Sequence, residues 1–134
     1  METVSFDKVL EYNTLKTGIT VLVVLQDGDK TVDFEAKVDT GATHCVFERK
    51  HAERLGIDVE SGEPIHFITA AGNFDAYAHD VVLSVLEIET YTKVCFAKEE
   101  SFTRNVLGRQ GWLDRVKLGL IDYEGKLLLS AYGE

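Results

Sequence analysis

Turn-forming residues cut this sequence into apolar stretches too short to be long helices and well suited to β-strands. Ile19 to Leu25 is a short apolar run of the kind expected of a buried strand. Gln26-Asp27-Gly28-Asp29-Lys30 follows with hairpin chemistry, Gly28 being free to take positive φ. Val32, Phe34, Ala36 and Val38 then alternate with Asp33, Glu35 and Lys37. That period of two marks a half-buried strand, and it delivers Asp39 at its end. Further strands are expected over Ile65 to Thr69, Phe74 to His79, Val81 to Glu89, Thr92 to Ala97, Leu118 to Ile121 and Lys126 to Ser130. Ala70-Ala71-Gly72-Asn73 turns the second hairpin, and Asp122-Tyr123-Glu124-Gly125 the third. Glu48 to Leu55 reads as a short helix stopped by Gly56. Arg109 to Val116 reads as another, with Trp112, Leu113 and Val116 on one side. The pattern predicts an all-β, closed barrel with short helices, one of them near the C-terminus.

With 134 residues, 45% of them hydrophobic, the chain fits one compact domain spanning 1–134 that folds without disulfide or metal staples. Met1 to Thr17 forms a candidate N-terminal arm. The two cysteines, Cys45 and Cys95, show no paired spacing, which suits a reducing compartment. No basic start with an apolar run opens the sequence, and the longest apolar stretch, Val21 to Leu25, is too short to span a bilayer. A cytoplasmic protein with no membrane partner is the expectation. The net charge of -9 and the scattered lysines argue against a nucleic-acid partner.

The segment that carries chemistry is Val38-Asp39-Thr40-Gly41-Ala42. Asp39 offers a general acid or base, Thr40 a hydroxyl to anchor the turn, and Gly41 a backbone that another group can approach closely. By itself Asp-Thr-Gly is an ordinary turn after a strand. Downstream, however, Asn105-Val106-Leu107-Gly108-Arg109 leads into the second helical pattern, with the Ile65 to His79 hairpin in between.

In these three ordered features the chain resembles the retropepsin-like aspartic peptidases, over roughly Gly18 to Ser130. Ala52 to Ile57 is similar to the helix end of soluble bacterial members. The resemblance implies an aspartic endopeptidase that needs no cofactor or metal and acts on a peptide or protein substrate. Asp39, Thr40 and Gly41 would be catalytic. Ala42, together with Ala70, Ala71, Gly72 and Asn73 of a flap hairpin, would contact substrate. In the family two carboxylates share one proton, and the ionised one activates a water that attacks the scissile carbonyl. No other aspartate here is followed by Thr-Gly or Ser-Gly, so the second carboxylate would come from Asp39 of a symmetry mate in a homodimer. Viral members place an acid where this chain has Thr43, which leaves Arg109 to find a different partner. The alternative function is a non-catalytic peptide-binding or dimerisation module on the same fold.

Other residues have plainer roles. His44 and Cys45 are sequence neighbours that point to opposite faces of an extended segment, so they do not form a Cys-His pair. Cys45, Cys95 and Trp112 are expected in the core or an interface. His44, His51, His66 and His79 lack metal-ligand spacing. Asp75 reads as an exposed turn residue.

Overall fold

The computed structural model describes residues 1–70 and 72–133. Ten strands dominate it: β1 (Lys8–Glu11), β2 (Thr20–Asp27), β3 (Lys30–Val38), β4 (Val46–Phe47), β5 (Glu63–Thr69), β6 (Gly72–Val85), β7 (Ile88–Ala97), β8 (Val106–Leu107), β9 (Val116–Ile121) and β10 (Lys126–Ala131). The single α-helix among the described residues, α1, spans Arg49–Arg54.

Hydrogen bonding runs from β2 through β3, β8, β4, β7 and β6, and β6 pairs again with β2. The ring is therefore closed, as the short strands predict, with β3 meeting β8 only at Lys37 and Val38 and β7 meeting β4 only at Cys95 and Phe96. Closure rests on one long strand. Residues Val82 to Val85 of β6 pair with β2, while residues Gly72 to Ala78 of the same strand pair with β5. β5 and the upper half of β6 thus project from the barrel as a hairpin.

The sequence predicts two strands where the structure has β6 alone. Pairing with β7 continues without interruption from Ala76↔Ala97 to Val85↔Ile88. What changes is the buried face. Ala76 and Ala78 are buried on one side, Val81, Leu83 and Val85 on the other. The chain reverses at Leu86 and Glu87, both at positive φ (50° and 68°), so the end of the expected strand Val81 to Glu89 is a tight turn and the start of β7.

The helix near the C-terminus contracts to one 3-10 turn, Leu113–Arg115. Gly111 sits at φ 105° and Trp112 at φ −138°, neither of them helical. The amides of Arg109 and Gln110 are already committed to Ala42 O and Thr43 O, at 2.9 and 2.8 Å. Trp112 is 1% exposed and belongs to the barrel core with Phe47, Phe96, Leu83 and Leu107. Helix α1 lies within the predicted Glu48 to Leu55, and Gly56 takes the left-handed stop position at φ 75°.

A separate three-stranded sheet, in the order β1-β10-β9, covers one end of the core with Leu127 and Leu129. The N-terminal segment is tied down there, with β1 paired to β10 of its own chain and the Asp7 amide donating to Ser130 Oγ at 2.7 Å.

Candidate active site

Strand β3 ends at Val38, and the next residues cannot continue the ladder because their backbone groups are bonded elsewhere. The Asp39 amide donates to Leu107 O at 3.0 Å, and the Ala42 amide returns to Asp39 O at 3.2 Å, closing a turn. Inside that turn the Gly41 amide donates to Asp39 Oδ1 at 2.9 Å, which fixes the carboxylate's direction. A side chain at Gly41 would stand 3.3 Å from the same oxygen and crowd it. Asp39 is half-buried, while Thr40 and Gly41 are exposed. Among the described residues the Thr40 hydroxyl has no hydrogen-bond partner.

The two motifs lie side by side. Arg109 N and Gln110 N bond to the carbonyls of Ala42 and Thr43, and β8 runs parallel to the end of β3 with Val38 opposite Leu107. Gly108 is needed for this approach, because a Cβ there would collide with the carbonyl oxygen of His44. The Gly108 amide also donates to Cys45 Sγ at 3.4 Å. Cys45 and Cys95 are buried free thiols, and burial pushes both up to about 12, which makes them poor nucleophiles. The Arg109 guanidinium has no acidic partner among the described residues.

Asn105 clamps the arrangement from behind. Its backbone carbonyl accepts from Lys37 N at 2.9 Å. Its side chain accepts from Glu48 N at 3.0 Å and donates to Glu48 Oε2 at 2.9 Å. One residue thereby joins β3, β8 and the start of α1, immediately below Asp39.

Between the Asp39 turn and the projecting hairpin lies a cleft of about 580 Å³. Asp39, Gly41, Ala42 and Ala70 line it. Gly72 and Asn73 sit at the exposed start of β6, outside that lining, and Ala71 lies outside the described residues. Sequence reasoning missed much of the wall: Phe67, Phe74 and Phe102, with His44, His66 and Arg104. Phe67 and Phe74 are register partners on the hairpin and stack at 4.8 Å, and Phe74 meets Phe102 at 4.8 Å. His44 stands edge-on to Phe67 at 5.2 Å, facing away from the buried Cys45. The strand alternation that placed β5 also fixes which residues face inward, and that was the available signal. Asp75 is a strand residue rather than a turn residue, and His66 Nδ1 lies 2.7 Å from its Oδ1.

Among the described residues no group of three or more His, Cys, Asp or Glu is placed to hold a metal ion, and no helix is long and apolar enough to cross a membrane. What the cleft does offer is one aimed carboxylate, exposed backbone at Gly41, and an apolar wall.

Comparison with known proteins agrees with this geometry. A retropepsin-like aspartic protease from Rickettsia conorii superposes with a TM-score of 0.68 at 21% identity, covering 92% of this chain and 97% of that one. EIAV protease, solved in complex with the inhibitor HBY-793, superposes with a TM-score of 0.54 at 22% identity, covering 75% of this chain and 88% of that one. These likenesses establish a retropepsin-like fold. A comparison with curated protein sequences finds no match. Residues 21–110, which hold both the Asp39 turn and the Gly108-Arg109 segment, match the family model described as aspartyl protease. The chain therefore belongs to the aspartyl protease family.

Proposed function

We propose that this protein is an aspartic endopeptidase in which two copies of the chain, each acting as one retropepsin-like domain, contribute one Asp39 apiece. The observation that carries the reading is the solitary, half-buried Asp39, its carboxylate held by the Gly41 amide and open to a peptide-sized cleft. One carboxylate in water is an ordinary ionised acid. Two brought together cannot both ionise cheaply, so they hold one proton between them. The ionised member then takes a proton from water, the water oxygen bonds to the scissile carbonyl carbon, and the protonated member donates to the carbonyl oxygen. Collapse of that intermediate breaks the C–N bond as the amine leaves with a proton.

Thr40 supports the pairing. It is exposed beside Asp39, and its hydroxyl has no hydrogen bond among the described residues, as suits a group that bonds across a two-fold axis. The hairpin of β5 and β6 serves as the flap, with Ala70, Gly72 and Asn73 at or beside its tip. An extended peptide would lie between flap and Asp39, bonding to the Gly41 carbonyl as an added strand does. Two buried free thiols suit a reducing, cytoplasmic setting.

Mixing tests the pairing directly. Adding excess Asp39→Asn chain to wild type should suppress peptide cleavage as mixed dimers form, and wild-type activity should rise faster than linearly with dilute protein concentration. Cleavage that stays proportional to a monomer's concentration, and is indifferent to the added variant, would overturn the proposal, and the absence of any cleavage would favour the non-catalytic module.

A further inference from the structure

The cleft wall holds an unassigned cation. Phe102, Arg104 and Val106 are spaced by two on the segment that enters β8, and all three line the cleft. Their alternates do not: Asn105 turns the other way, to Glu48. On an extended chain this alternation commits Arg104 to the cleft side. Its guanidinium is exposed there and has no carboxylate within ion-pairing distance among the described residues, Asp39 included. Arg49, by contrast, is paired, meeting Glu60 at 2.6 Å and Glu53 at 3.2 Å. The other acid beside the cleft, Asp75, is occupied by His66. A net charge of -9 thus surrounds a substrate groove that presents an unmatched arginine next to stacked phenylalanines.

We propose that Arg104 makes this protein selective for peptides carrying an aspartate or glutamate side chain beside a bulky apolar residue near the cut. The apolar side chain would cover the exposed faces of Phe67, Phe74 and Phe102. The adjacent carboxylate would reach the planar guanidinium, which suits a two-oxygen acceptor. In a two-fold dimer a second Arg104 faces the other half of the peptide, so the same preference applies on either side of the scissile bond. Because Arg104 is solvated, the discrimination is modest. Glutamate should be favoured over glutamine by about threefold and over lysine by about tenfold, with the advantage shrinking in high salt.

The inference rests on the peptidase reading for cleavage but not for binding, and the experiment separates the two. Peptides differing only as Glu, Gln or Lys at the position flanking a phenylalanine are compared in two ways: by kcat/KM with wild type, and by fluorescence anisotropy with the Asp39→Asn variant. The expected order is Glu, Gln, Lys in both measurements, levelled by Arg104→Gln and inverted by Arg104→Glu. Cleavage or binding indifferent to peptide charge, or an order unchanged in Arg104→Gln, overturns the Arg104 assignment and leaves the role of Asp39 standing. A charge order seen in binding, combined with cleavage that survives Asp39→Asn or is absent from wild type, overturns the peptidase reading and leaves Arg104 standing. Failure of all three peptides to bind overturns both.

Discussion

Strands β4, β6 and β7 form one wall with two differently treated faces. On the barrel side Phe47, Leu83, Val94 and Phe96 are sealed among core residues that are nearly all fully buried. On the cleft side Val46, Ala76, Ala78 and Cys95 are buried too, but the layer above them, Ile65, Phe67, Phe74 and Phe102, is only partly covered. The first face has every apolar surface matched by protein. The second stops one layer short, leaving aromatic surface that only a ligand or partner would cover. Substitutions should therefore separate cleanly, with barrel-side changes read in stability and cleft-side changes read in activity.

The sharpest contrast comes from Asp39→Asn. It keeps an oxygen for the Gly41 amide, so the unfolding midpoint should barely move, while cleavage falls by about 10²- to 10⁴-fold. Trp112→Ala is the mirror case. Emptying a site that is 1% exposed should cost about 3–5 kcal/mol in chemical denaturation, and the surviving folded protein should keep its substrate preference. Phe74→Ala straddles the wall. Truncating a half-buried ring should cost only about 1–2 kcal/mol in denaturation but lower kcat/KM by roughly tenfold, mostly through KM. If its stability cost equals that of Trp112→Ala, the two faces are not distinct after all.

The smallest effect concerns a buried titrating group on the barrel side. His51, on the buried face of α1, is stacked on Phe34 at 3.8 Å, with Nε2 3.3 Å from Glu48 Oε2 but no hydrogen bond formed. Burial is the largest influence and holds its pKa below the usual 6.5, against the opposing pull of Glu48; Lys50 and Arg54 lower it further. A folded-state value below the unfolded one means that the unfolded chain binds the extra proton first. Stability is then complete above about 6.5 and is lost as pH falls below that value. His51→Phe should remove this part of the acid sensitivity, so the gap between variant and wild-type melting temperatures should drift in the variant's favour from pH 7 to pH 5.

Much of this arrangement was legible in the sequence, because alternation over Val32 to Val38 aims Asp39 and because the segments at Asp39 and Gly108 are short enough to interlock. The hairpin over Ile65 to His79 was also visible. The unbroken β6 was not. Its buried residues change parity between Ala78 and Val81, which looks like the end of one strand and the start of another. Only the three-dimensional arrangement reveals that one strand serves the cleft face and then the barrel face without breaking its pairing. The 3-10 turn at Leu113 was hidden for a related reason: the apolar spacing of Trp112, Leu113 and Val116 is helical, but the backbone leaves the helical path at Gly111 and Trp112. Arg104 and the three phenylalanines carry no motif at all, and their meaning comes from what they face.

The change of partner along β6 also sets how far the hairpin stands free of the barrel. Between Ala78, the last residue held by β5, and Val82, the first held by β2, the strand is gripped on that edge by neither. The short stretch is braced where His79 Nε2 lies 2.8 Å from Val59 O and where Gly62 leaves no room for a side chain against Ala78 and His79, and β7 holds its other edge as far out as Ala76. At about 3.3 Å per residue the part of β6 beyond Ala76, out to Gly72, is roughly 13 Å long, so a tilt of about 20° would carry its far end through some ~4–5 Å. Such a tilt would leave the barrel still and move the tip a distance comparable to the thickness of a peptide backbone.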